Sequence, residues 1–316
     1  MTAPEGSSND PNALGLDALW ASFEATGLPG RMFELSRDED LGADHASLTV
    51  GTVGKRAWAG RVVFREEGVV AGLACVPSLL GVFPGRLEFK PSVSDGQRVE
   101  AGEVVGELWG EHGPALLVER TLLNLVARLS GIATRTSIFV DALEAGGGRA
   151  ELWDTRKTTP GLRLPEKYAV RCGGGKNHRL GLHDALMIKD NFLGVGDGQL
   201  GRRVATMLDG VDLAVRGGAP RPRFIEVEVD RLGQLDTLLN ACGGRIDAVL
   251  LDNMDMETLA AAVLVRDRLA PRVALEASGG VSLGTIGRIG ATGVDRVSVG
   301  SLTHGAASLD VGLDAV

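Results

Sequence analysis

Only three cysteines occur in the 316 residues, Cys75, Cys172 and Cys242, far apart and without a C-x-x-C pair. That odd, dispersed set excludes a disulfide scaffold or zinc knuckle and favours a reduced, cytoplasmic setting. No apolar run is long enough for a bilayer: the longest, GVVAGLACVPSLLGVF, is broken by Gly, Pro and Ser. The opening MTAPEGSSNDPNALG has neither the basic nor the apolar region of a signal peptide and reads as a flexible tail over 1–15. Basic excess is missing as well. The formal charge of −8 argues against a nucleic-acid or membrane-surface binder. No internal repeat or low-complexity segment is evident.

What remains is ordinary globular composition, 44% hydrophobic and 23% charged, enough for one large or two moderate domains. The pattern LGLDALWASFEA predicts an amphipathic helix from about Leu14 to Ala25. From Trp58 to about Trp109, Val, Phe and Leu alternate with polar residues between Asp-Gly and Ala-Gly punctuation, which predicts a small β-rich region. A long helical pattern from PALLVERTLLN ends in the glycine run Gly146 to Gly148.

The texture then changes. The apolar runs AELWDT, DALMIK, RFIEVEV, DAVLLD, VALEASGG and RVSVGS alternate with amphipathic pieces such as LGQLDTLLNAC and METLAAAVLVRDRL. Continuous runs ending in a polar residue are how buried parallel strands before functional loops should read. About six such units in roughly 165 residues predict an α/β barrel, incomplete because a full eight-unit barrel needs about 250 residues. An open doubly wound sheet competes with it. The barrel is favoured because chemically useful residues recur at nearly every strand end.

Those ends supply Asp154, Arg156 and Lys157; Lys189, Asp190 and Asn191; Glu226 and Glu228; Asp252 and Asn253; Glu276 and Ser278-Gly279-Gly280; and Ser298 with Gly300 and Ser301. The loop RCGGGKNHR adds Lys176, His178 and Arg179. Between Asp154 and Asp190 there are eight Lys or Arg against four Asp or Glu, a positive stretch in an acidic chain. Adjacent Arg and Lys flanked by Thr hydroxyls suit carboxylates or phosphates, and SGG with SVGS suits a phosphate cradle. Glu228 and Asp252, on consecutive strands, suit an electron-poor carbon or Mg²⁺ beside a phosphorylated substrate.

The block WDTRKTTPGLRLPEKYAVRCGGGKNHRLGLHDALMIKDN, with ERTLLN, EVEVD, VLLDN, EASGGV and SVGSLTH in that order, resembles the quinolinate phosphoribosyltransferase family, also called carboxylating nicotinate-nucleotide pyrophosphorylase. The resemblance implies an N-terminal open-faced α/β sandwich over 16–130, an incomplete barrel over 131–300 and a C-terminal segment, 301–316, packing back on the sandwich. It implies phosphoribosyl transfer from phosphoribosyl pyrophosphate to quinolinate with decarboxylation, in de novo NAD synthesis, with Mg²⁺. By motif, Thr155, Arg156, Lys157, His178 and Arg179 would hold quinolinate. Lys189, Glu228 and Asp252 would address the phosphoribosyl donor, the two acids meeting Mg²⁺ largely through pyrophosphate and water. Lys157, Lys189, Glu228 and Asp252 would be catalytic, and Ser278, Gly279, Gly280, Gly300 and Ser301 would cradle the 5′-phosphate. A homodimer is implied, with Arg120 contributed to the neighbouring active site and higher assembly left open.

Two departures stand out. The early acidic glycine pattern is present only as EDLGADHASLT, and Phe192 stands where the family has histidine. Rival readings are a molybdate-associated homologue, an aldolase using Lys189 as a Schiff base, and a biotinyl-like carrier. The last lacks a lysine at the hairpin SVSDGQRVEAGEVVGELWGE.

Overall fold

The computed structural model describes residues 10–42, 56–189 and 197–316. In chain order, helices α1 (Leu16–Glu24) and α2 (Leu28–Leu41) precede strands β1 (Ala57–Phe64) and β2 (Gly68–Val69). Helix α3 (Val76–Val82) then leads to β3 (Leu87–Pro91), β4 (Arg98–Val99) and β5 (Val104–Glu111). Helix α4 (His112–Ala145) is followed by β6 (Glu151–Trp153), α5 (Arg163–Cys172), β7 (Leu186–Ile188) and α6 (Asp197–Arg216). Next come β8 (Ile225–Val229), α7 (Leu232–Cys242), β9 (Ala248–Asp252), α8 (Met256–Leu269), β10 (Ala274–Ser278), α9 (Leu283–Gly290) and β11 (Arg296–Ser298). Helix α10 (Ser301–His304) and strand β12 (Val311–Ala315) close the order.

Two units interleave along the chain. One takes in Pro11–Ile138, Lys157–Gly175 and Gly300–Val316; the other takes in Phe139–Arg156 and Lys176–Val299.

The first unit is built on the antiparallel sheet β12-β1-β5-β3. Alternation along β1 and β5 turns Val62, Phe64, Val105 and Leu108 into its core. The sequence pattern from Trp58 onward is found as β1 to β5, while β12, which pairs Leu313 with Val62, carried no comparable signal. Helix α1 buries Leu19, Trp20 and Phe23, the apolar stripe of a helix lying on a core. Helix α4 runs 34 residues, about 51 Å, and stops short of the glycines at 146–148. Through Ile138 it belongs to this unit, and Gly131 explains one close approach. A Cβ there would lie 1.9 Å from the Ala307 carbonyl oxygen, so only glycine fits. Helix α5 is almost wholly buried, with Glu166 paired to Arg128 at 2.9 Å and the Tyr168 hydroxyl donating to Asp95 at 2.8 Å.

The second unit is a six-stranded sheet in the order β6-β11-β10-β9-β8-β7, every pairing parallel. The first strand lies beside the last, the order a barrel produces and a doubly wound sheet does not. Side chains also meet across it. Trp153, from β6, is edge-on to His178 with centroids 6.2 Å apart, and His178 bonds Glu226 of β8 at 2.8 Å. Strands four places apart in the sheet can touch like this only if it curls. The barrel is open between β6 and β7, with Lys176 bridging onto Trp153.

On the outer side, Val227, Val229, Val249, Leu251, Leu275 and Val297 are buried, as are Leu235 and Leu238 of α7 and Ile286 of α9. Each such side chain contributes about 1.5–3 kcal/mol on full burial. Local signals start the helices: Asp255 caps α8 by accepting from the Thr258 N–H at 2.8 Å, and Ser282 with Thr285 forms a capping box at α9. The three cysteines are buried and unpaired. Among the described residues no helix is long and apolar enough to cross a membrane.

Candidate active site

Period two along parallel strands sorts the second unit's polar residues. Glu226 and Glu228 share a face of β8, and register places Glu226 beside Ala248, Glu228 beside Leu250 and Ser278 beside Asp252. The same parity carries Glu276 and Ser278 on β10, Arg296 and Ser298 on β11, and Trp153 on β6. These residues line the inside in a deeper layer, the floor, and an outer layer at the strand ends, the rim.

The floor is held by a carboxylate. Asp154 is fully buried; it accepts from the Asn177 side chain and from the His178 backbone N–H, both at 2.8 Å. This fixes the glycine-rich loop against β6. His178 is then engaged on both sides of its ring. Nδ1 accepts the Arg179 N–H at 2.7 Å, so Nε2 carries the proton and donates to Glu226 at 2.8 Å. The imidazole therefore sets the course of the chain at Arg179. Glu276 Oε1 lies 3.6 Å from His178 Nε2, and neither Glu276 oxygen has a hydrogen-bond partner. Burial pushes both Glu226 and Glu276 up to about 7, and the charge of Glu226 adds to the effect on Glu276. An ionised carboxylate is costly inside a protein, so burial favours the neutral form of Glu276.

The rim is different. Arg156, two residues beyond Asp154, is half-buried, and its buried Nε has no hydrogen-bond partner. Thr155 is half-buried beside it. Arg179 is buried to 9% exposure, with Nη2 3.5 Å from Met187 Sδ. Lys189, after β7, is ion-paired with Glu228 on β8. Asp252 ends β9 and accepts from the Asn253 side chain at 2.9 Å. Asn253 sits in the left-handed region at φ 54, a conformation asparagine tolerates, and donates its backbone N–H to Ser278 at 2.9 Å. Gly279 (φ 95) closes in on that turn: a Cβ there would stand 2.2 Å from Asn253 Oδ1. Gly280 follows at φ 60, and α9 begins three residues on.

Four implied residues belong to the other unit. Lys157 is exposed, and its carbonyl accepts from Thr303 Oγ1 at 2.7 Å. Gly300 and Ser301 open α10, where Arg135 Nε donates to the Ser301 carbonyl at 2.7 Å. Arg120 is exposed on α4 and lines a recess of about 330 Å³ with Met32 and Phe33 of α2. Asp190, Asn191, Phe192 and the 43–49 part of the altered glycine loop lie outside the described residues.

Two donor sets are relevant to a metal. Glu228 and Asp252 offer hard carboxylate oxygens at adjacent strand ends, the chemistry Mg²⁺ takes beside phosphates, so they fit that ion. Among the described residues, His178, Glu226 and Glu276 also bring ligand atoms within 4.8 Å of one another, all buried. There the imidazole and one carboxylate bond each other directly at 2.8 Å. In the sequence Glu226 and Glu276 stand out only as strand-end residues, and Asn177 not at all. For Glu226 the signal is the in-phase pair with Glu228, whose inner member must be buried.

Comparison with known proteins agrees with this architecture. Residues 46–130 match the model of the quinolinate phosphoribosyl transferase N-terminal domain, and residues 132–314 match that of its C-terminal domain. The chain is 43% identical over 273 residues to the carboxylating nicotinate-nucleotide pyrophosphorylase of Mycobacterium leprae, covering 85% of this chain and 89% of that protein. It is 36% identical over 259 residues to decarboxylating quinolinate phosphoribosyltransferase 1b of Nicotiana tabacum, covering 79% and 71% respectively. A solved nicotinate-nucleotide pyrophosphorylase from Francisella tularensis superposes with a TM-score of 0.78 at 32% identity, over 98% of this chain and all of that one. With both domain models matched in order and relatives at this identity, the chain belongs to the quinolinate phosphoribosyltransferase family.

Proposed function

We propose that this chain transfers the phosphoribosyl group of phosphoribosyl pyrophosphate to quinolinate and releases nicotinate mononucleotide, pyrophosphate and CO₂. The observation that carries the reading, beyond family membership, is the buried Arg156 Nε with no acceptor at a strand end, two residues beyond the Asp154 that bonds the loop carrying Arg179. A planar guanidinium with an open N–H is suited to a carboxylate, and the second cation matches a dicarboxylate.

In this reading Arg156 and Arg179 grip the two carboxylates and aim the pyridine nitrogen at the anomeric carbon. The nitrogen's lone pair forms the new C–N bond as the bond to pyrophosphate breaks. Glu228 and Asp252 stabilise the positive charge that builds on the ribose. Lys189, steadied by Glu228, faces the departing phosphates. The quaternised nitrogen then accepts the electron pair freed when the adjacent carboxylate leaves as CO₂, and that carbon takes up one proton. Ser278, Gly279 and Gly280 present backbone N–H groups to the 5′-phosphate. Glu228 and Asp252 would hold Mg²⁺, which supplies charge neutralisation for pyrophosphate.

The test is a coupled assay with quinolinate, phosphoribosyl pyrophosphate and Mg²⁺, following CO₂ and pyrophosphate together. Equal release of both supports the reading; pyrophosphate release with nicotinate but not quinolinate would redirect it. We propose further that the chain forms a homodimer in which Arg120, exposed on α4, serves the neighbouring copy. Mixing Arg120→Ala with Glu228→Gln chains, each inactive alone, should restore part of the turnover if so.

A further inference from the structure

At the end of the barrel where the strands begin lies a recess of about 730 Å³, formed by the segments that lead into β6, β10 and β11. It is remote from the rim. The five residues of β10 alone separate the two ends by about 17 Å.

Six charged side chains line it: Arg149, Glu151, Arg266, Arg272, Asp295 and Arg296. The acids are matched. Asp295 accepts from Arg266 at 2.5 Å, and Glu151 faces Lys176 at 3.7 Å. That leaves three arginines. Arg149 and Arg272 are exposed at the edge. Arg296 is fixed in place, its guanidinium 4.1 Å above the Trp153 ring, and its buried Nη1 has no hydrogen-bond partner. Its charge acts inward on Glu226 and Glu276, but no carboxylate in the recess bonds that nitrogen. Surplus arginines around a pocket of small-ligand size, one pre-oriented by an aromatic ring, are the equipment of an anion site.

The geometry points to a second ligand site here, taking a small phosphorylated anion, with Arg296 at its base and Arg149 and Arg272 at its edge. Three guanidinium groups lining one recess exceed what one carboxylate can use, whereas a phosphate or diphosphate offers enough oxygens. The volume admits a phosphate ester as readily as free diphosphate.

The experiment is calorimetric titration of the full chain with inorganic pyrophosphate and, separately, adenosine 5′-monophosphate. The double variant Arg149→Ser/Arg272→Ser alters two exposed residues outside the proposed catalytic set, so its turnover should stay at the wild-type level. Wild type is expected to bind pyrophosphate at two sites per chain. The double variant should keep one and lose the other by at least tenfold in affinity, while Arg156→Ala/Lys189→Ala should show the converse. Loss of adenosine monophosphate binding in the double variant would identify a nucleotide-type ester as ligand; loss of pyrophosphate binding alone would identify the free anion. Identical titrations of wild type and double variant with both probes would overturn the site, whatever the assay for quinolinate shows.

Discussion

Glu226 and Glu228 stand two residues apart on one face of one strand, yet they live in different chemistries. Glu226 is fully buried, bonded to the His178 imidazole and pushed up to about 7 by burial. Glu228 reaches the rim and meets the ammonium of Lys189. One turn of the pleat, about 7 Å, separates a group that organises the protein from one that faces a ligand. Acids in a barrel are therefore not interchangeable evidence of catalysis. Depth decides: on the floor burial raises the carboxyls and an imidazole engages one of them, whereas at the rim an acid meets an ammonium.

That contrast can be broken by substitution. The largest expected effect is at the rim: Arg156→Ala should lower kcat/KM for quinolinate by about 10- to 150-fold, the equivalent of losing roughly 1.5–3 kcal/mol of charged hydrogen bonding. Its melting temperature should hardly move; a large drop would mean that Arg156 belongs with the floor. Next, Asp154→Ala strips the acceptor from two buried donors at a cost of about 2 kcal/mol or more. Calorimetry should show Tm lower by about 4–8 °C, with activity falling because Arg179 loses its setting. Third comes a pH test. The Glu276 carboxyl is raised from 4.5 to about 7, so its contribution to stability is complete below about 4.5 and is lost as pH rises through about 7. Glu276→Gln removes that loss, and at pH 8 its Tm should exceed wild type by about 2–4 °C for each kcal/mol recovered. Parallel Tm-against-pH curves would show that burial does not perturb the group. The smallest effect calibrates the scale: Asp255→Ala removes one helix cap, for about 1 kcal/mol, and kinetics should be unchanged.

Much of the second unit was legible because its strands are buried on both faces. Runs such as IEVEV and AVLLD can scarcely be anything else, and the residues that follow them are the rim. The curl of the sheet was legible only indirectly, through how often useful residues recur at strand ends. Illegible were the contacts that depend on depth. Nothing in EVEV says which acid faces His178, nor that Asp154 turns inward to hold Asn177 while Arg156, two residues later, does not. Helix α5 also gave little warning. Its sequence RLPEKYAVRC is half polar, yet Glu166 and Lys167 are fully buried, because Arg128 supplies Glu166 with a partner from a distant helix. Partner-dependent burial of this kind is a property of tertiary structure, and local pattern cannot carry it.

Strand β12 pairs with β1, roughly 250 residues earlier in the chain, so this sheet closes across a long loop. Until synthesis reaches Val311, β1 has an unpaired edge carrying Val62 and Phe64, an invitation to stray strand pairing. Deleting β12 (Val311–Ala315) should therefore reduce soluble yield by exposing that edge.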